Sequence, residues 1–217
     1  MPSKSRIQWC GLALAVTGAL FFTGIWHPHD SIEGILDARW IPIHILAYIA
    51  SILVLFGLIG MYAPHADKFG RAGLIGFVMT FISGVAVSGV GLCEVAVLPV
   101  LVADPAAQAV GDPQSGALMK GLYGAVLLSG FLIYVIGMFV FCTTALRRRL
   151  LPRLGMWALM AGYAMLVGGI FIVRTVDPES NSLFHPAHMI KNSGQITLSF
   201  GYVWVGYHIW SGRVEEA

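Results

Sequence analysis

Seven histidines, and one glutamate set inside an apolar run, are the residues of this chain best suited to chemistry. His27 and His29 form H-P-H, His44 stands in W-I-P-I-H-I-L, and His185 and His188 bracket a proline in F-H-P-A-H. His65 and His208 complete the set. Imidazole holds haem iron or zinc and exchanges protons near neutral pH. Glu94 lies in S-G-V-G-L-C-E-V-A-V-L-P. An ionisable group placed in so apolar a run costs a few kcal/mol and faces a bundle interior or a water-filled cavity by default. Five residues on, Pro99 has no amide hydrogen to donate, so the carbonyl of Val95 loses its helical partner.

Two or three histidines with a carboxylate is the ligand set of a catalytic zinc, and two histidines suffice for haem b. The expected metal ligands are His44, Glu94 and His188, with His27, His29 and His185 at the rim. A haem would take His44 and His188 as axial ligands, with Arg174 near a propionate and Gln195 lining the same cavity. Glu94 is also the candidate general acid or base. Proline favours the first position of a helix, so Pro186 is expected to start one, with His185 as its cap and His188 in its first turn. Each residue also has a structural reading: interfacial imidazoles for the histidines, an emerging helix end for Glu94 and packing for Tyr202, Trp204 and Tyr207.

The elements that must position these residues follow from composition. Hydrophobic residues make up 57% of the 217 and charged residues 11%, against about 25% charged in soluble domains. Mean hydropathy is +0.78. The charges fall in short clusters between uncharged runs of about 20 residues, the length that crosses a bilayer. Six spans are expected, at about 7–26, 41–63, 72–103, 121–146, 154–173 and 193–210 (the last beginning as early as 189). The runs are continuous, which excludes the alternating segments of a barrel. The fold class is therefore an all-α membrane protein, a six-transmembrane-helix bundle forming a single domain.

Nine basic residues (Lys4, Arg6, Lys68, Arg71, Arg147, Arg148, Arg149, Arg153 and Arg213) fall on one side of that topology. Four (Arg39, Lys120, Arg174 and Lys191) fall on the other. The excess favours both termini in the cytoplasm of a cell (inner) membrane. Lys4 and Arg6 precede an apolar run longer than the core of a signal peptide, with no A-x-A site after it, so a retained first helix is expected. Trp26, Trp40 and Trp210 are expected at the membrane interface. A net charge of +2 gives no basis for nucleic-acid binding. Cys10, Cys93 and Cys142 have no metal or redox spacing.

The run Ser83, Gly84, Ala86, Ser88, Gly89 and Gly91 is rich in small residues, and Gly84 and Ser88 have the spacing that admits a close helix or a flat ligand. Three functional readings follow. One is a haem b or metal-binding redox module. Another is an accessory subunit or small transporter packed against other membrane subunits. The third is an intramembrane enzyme, dependent on a metal or on acid/base groups, acting on a lipid-like substrate. A quinone or other lipid-like small molecule is the expected partner besides the bilayer.

Overall fold

The computed structural model describes residues 4–28, 30–113, 116–176 and 186–213, all helix, turn or connecting segment, with no strand among them. Ten α-helices follow in order: α1 (Lys4–Phe21), α2 (Ile32–Leu36), α3 (Trp40–Tyr62), α4 (Ala66–Ala96), α5 (Leu98–Ala103), α6 (Gln108–Gly111), α7 (Ala117–Lys120), α8 (Leu122–Arg148), α9 (Arg153–Val176) and α10 (Pro186–Trp210). Phe22–Trp26 and Ala63–His65 are 3₁₀ turns that close α1 and join α3 to α4. Four helical stretches are long and apolar enough to cross a membrane. One of them runs from Trp40 to Ala103 and contains both α3 and α4. It folds back on itself, because Trp40 at its start touches Glu94 near its end.

The six long helices form a closed ring. α1 packs against α3 and α10, α3 against α4, α4 against α8, α8 against α9, and α9 against α10. Three of these contacts rest on glycines facing backbone. A Cβ on Gly206 of α10 would lie 2.6 Å from the carbonyl oxygen of Gly11 on α1. One on Gly194 would lie 2.9 Å from that of Gly162 on α9, and one on Gly76 of α4 would lie 2.9 Å from that of Gly137 on α8. In a lipid solvent no hydrophobic force draws apolar helices together, so such close backbone approach supplies the dispersion contact instead.

Outside the ring the surface is apolar. Ile82, Leu132, Phe171 and Leu128 are each more than half exposed, a covering suited to acyl chains rather than water. Inside, Leu14, Leu58, Met61, Phe69, Met138, Phe141, Met156 and Leu159 are buried in one continuous core. A second, small cluster (Ile35, Trp40, Leu98 and Val102) packs α2, α3 and α5 together over one end of the ring. Trp40 is thus buried, 2% exposed, and not the interfacial residue the sequence suggests. Beside this cap Arg39 bonds Asp37 through its backbone amide and guanidinium and holds that exposed carboxyl at about 2, below its ordinary value.

The helix starting at Pro186 is as expected. The third expected span is two helices, not one. α4 ends at Ala96, and α5 begins at Leu98 with Pro99 in its first turn. α4 also begins earlier than expected, at Ala66, and bends at Gly70, whose φ of 64° is open only to glycine without strain.

Candidate functional site

The break between α4 and α5 builds one wall of the site. Where helical hydrogen bonding is interrupted before Pro99, the indole Nε1 of Trp40 donates to the backbone carbonyl of Glu94 at 2.9 Å. Trp40 also stacks on His44, with ring centroids 3.9 Å apart and planes inclined by 25°. Its own carbonyl accepts a hydrogen bond from His44 Nδ1 at 2.8 Å. A carbonyl only accepts, so His44 Nδ1 carries the hydrogen and Nε2 carries a lone pair. That lone pair faces His27 Nε2 at 3.1 Å and Glu94 Oε2 at 3.8 Å. Glu94 Oε1 accepts from the Tyr123 hydroxyl at 3.2 Å. The Trp40 carbonyl thus sets the tautomer of His44 and, with the stacked indole, the orientation of its ring.

His27 reaches this point from the chain just past α1. Its Nδ1 contacts the carbonyl of Pro28, and its ring meets Trp40 and His44 edge-on. After Pro28 the chain turns back, and Ser31 caps α2 by accepting from the amide of Gly34 at 3.1 Å.

His44 and Glu94 open onto a central cavity of about 210 Å³ to which all six long helices contribute. That is many times the 10–15 Å³ or so that one water needs. Its sides are Val87, Val90, Leu127, Leu166 and Leu198, with Gly84 and Gly91 widening it along α4. The far end is aromatic: Phe21, Phe131, Tyr134 and Tyr163. Gly84, whose Cβ would sit 3.3 Å from the ring of Tyr134, marks its depth. Ten residues separate Gly84 from Glu94, so the cavity runs about 15 Å along α4.

Gln195 lines the cavity and donates to the carbonyl of Phe21 at 2.7 Å. His188 is buried seven residues earlier on the same face of α10 but is not part of the cavity wall. His44 is thus paired with His27 rather than with His188. Among the described residues, no three histidine, cysteine or acidic side chains converge as a metal cage. His29 and His185 lie outside the described residues, as does the side chain of Arg174 within α9. The three cysteines are free.

Sequence reasoning did not single out Tyr123, Tyr134 or Tyr163. The signal available was chemical: a tyrosine in an apolar helix brings a hydroxyl that needs a partner. The small-residue run on α4 borders the cavity through Gly84 and Gly91. Comparisons with protein-family models, with characterised proteins and with solved structures find no match to this chain.

Proposed function

We propose that this is a multi-pass protein of a cell membrane that binds a lipid-soluble, hydroxyl-bearing molecule inside the bilayer and holds its head group by hydrogen bonds. The class includes long-chain alcohols and quinols. In this reading all six long helices cross the membrane, and both termini face the cytoplasm. The nine basic residues then lie at one end of the ring, and His27, His44 and Glu94 at the other.

One observation carries the reading. A long apolar cavity ends at two acceptors, the His44 Nε2 lone pair and the Glu94 carboxylate, held by Trp40 and Tyr123. Apolar pockets with a few convergent polar groups are the usual form of a small-molecule site. The apolar walls take the body of the molecule, and the acceptors take its hydroxyl. The ligand hydroxyl keeps its proton and donates it in a hydrogen bond to His44 Nε2, with the Glu94 carboxylate beside it as a second acceptor.

Solvent extraction of detergent-purified protein tests this. The extract is expected to hold one such molecule in stoichiometric amount. Gly91→Leu, at a cavity-lining glycine whose Cβ would meet only the Tyr48 ring at 3.8 Å, is expected to lose it while remaining folded. An extract of bulk phospholipid alone, with no uptake of added quinol or alcohol, would overturn the proposal. An oxidised-minus-reduced absorption spectrum of the same sample reports any haem directly.

A further inference from the structure

A cavity walled by six helices needs an entrance, and five of the six seams around it are bridged at its depth. Between α3 and α4 the Trp40 indole bonds the Glu94 carbonyl, and a Cβ on Gly84 would meet the end of Leu55 at 2.8 Å. Between α4 and α8 the Tyr123 hydroxyl bonds Glu94, and Gly130 packs on Val87. Thr17 of α1 donates to the carbonyl of Ala50 on α3 at 3.4 Å, and Gln195 of α10 donates to that of Phe21 on α1. On α9, Gly162 and Gly169 receive the backbone of α10. Both ends are also covered. The cluster of Ile35, Trp40, Leu98 and Val102 lies over one. At the other, the hydroxyls of Tyr134, Tyr163 and Tyr202, from α8, α9 and α10, bond one another in a closed triad.

The sixth seam, between α8 and α9, differs. Among the described residues no glycine of either helix meets the other: Gly130 and Gly137 of α8 face α4, and Gly155, Gly162 and Gly169 of α9 face α10. Close approach at small residues is what holds helices together in lipid, and this seam lacks it. About a third of a turn round α8 from its α4-facing glycines, away from the exposed Ile133 and Ile136, runs the row Leu128, Phe131, Val135, Met138 and Cys142. The row changes character midway. Val135, Met138 and Cys142 are sealed, at 8%, 1% and 1% exposure, in the core that includes Met156 and Leu159 of α9. Phe131 is half-buried and lines the cavity, and Leu128 is 60% exposed. The rings of Tyr134 and Tyr163, 5.7 Å apart, mark one depth on the two helices. From that depth α9 changes in step: Tyr163 is buried, while Leu166 and Val167 are half-buried.

We infer that the cavity opens sideways into the bilayer between α8 and α9, in the membrane half that holds His44 and Glu94, and that its ligand is an amphiphile taken from that outer leaflet. This rests on the binding function proposed above and names the source of its ligand. The cavity runs about 15 Å, half the ~30 Å of the hydrocarbon layer, and so is one leaflet deep. Its polar groups stand toward that leaflet's head groups, and its apolar walls lie beneath them. An outer-leaflet alcohol therefore already has the orientation of the site. It slides in laterally, without turning over and without passing through water. The seam sets the barrier between bilayer and cavity and does not touch the bound molecule, so narrowing it slows entry and exit alike and leaves affinity as it was.

The test ties the seam shut. Leu128→Cys and Val167→Cys, in a chain also carrying Cys10→Ser, Cys93→Ser and Cys142→Ala, are bridged with a reducible bis-maleimide, and the bridge is verified by mass. Uptake and release of radiolabelled dodecanol are then followed on protein in lipid nanodiscs. Bridging before loading is expected to slow uptake at least about tenfold, and bridging after loading to slow release equally, with reduction of the linker restoring both. Uptake and release at the unbridged rates would overturn the inference and leave the cavity as a site. Absence of saturable binding to the unbridged protein would remove the cavity's function and this inference together. If the cysteine-substituted chain does not fold, Leu128→Trp in the native chain serves, because that side chain is exposed. Its uptake and release are both expected to slow about tenfold at unchanged equilibrium binding, and unchanged rates would contradict the inference.

Discussion

Gly206→Leu is expected to abolish recovery of folded, monodisperse protein from detergent, while Gly89→Leu leaves it intact. A Cβ at Gly206 would lie 2.4 Å from the backbone nitrogen of Ala15 and 2.6 Å from the carbonyl oxygen of Gly11. Both are helix backbone and cannot rotate away, so α1 and α10 must separate. Overpacking a core costs about 1–3 kcal/mol where side chains can adjust, and here the neighbours are main chain, so the cost lies at or above the upper end. The ring closes through α10, which lies between α1 and α9. Opening that crossing removes the wall carrying Gln195 and Leu198, and the cavity with it. Gly89 has nothing within 4 Å of where its Cβ would stand, so it controls for the loss of a glycine in a helix. Size-exclusion profiles and thermal melts of the two variants provide the comparison.

His44→Ala is expected to weaken ligand binding by at least about tenfold, with less effect on folding than Gly206→Leu. The imidazole is the cavity's principal acceptor, and its loss leaves the ligand hydroxyl facing apolar space at a cost of about 1–3 kcal/mol. Glu94→Gln keeps the shape and still accepts from Tyr123, so binding of an alcohol should fall only a few-fold, less than in His44→Ala. A loss in Glu94→Gln equal to or larger than that in His44→Ala would show that the carboxylate and not the imidazole is the principal acceptor.

The long helices were legible because each is an apolar run bounded by proline, glycine or clustered charge. His44 and Glu94 were legible for the related reason that ionisable groups stand out in such runs. What helical periodicity could not show was the partner of His44. The choice between His188 and His27 depends on the chain between α1 and α3, where Pro28 and the Ser31 cap turn it back over the end of the ring. Trp40 was misplaced at the interface for the same reason: burial of that indole depends on α2 and α5 closing over it.

Glycine spacing identified a run on α4, yet the glycine pairs at helix crossings are far apart in sequence, as with Gly11 and Gly206 or Gly162 and Gly194. Such pairs follow from which helices are neighbours. The tyrosine triad was hidden in the same way, because its members become a unit only when α8, α9 and α10 bring three hydroxyls to one depth.

The most direct test of the binding cavity is photolabelling. A long-chain alcohol with a diazirine midway along its tail would be irradiated with the protein in lipid nanodiscs, and the labelled residues identified by mass spectrometry. The proposed site predicts labels on Val87, Val90, Leu127 and Phe131, which face the cavity, and their suppression by excess unlabelled alcohol. Labels confined to the outward-facing Ile82, Leu128 and Leu132, unaffected by competitor, would show that the alcohol meets only the outer surface of the bundle and would contradict it.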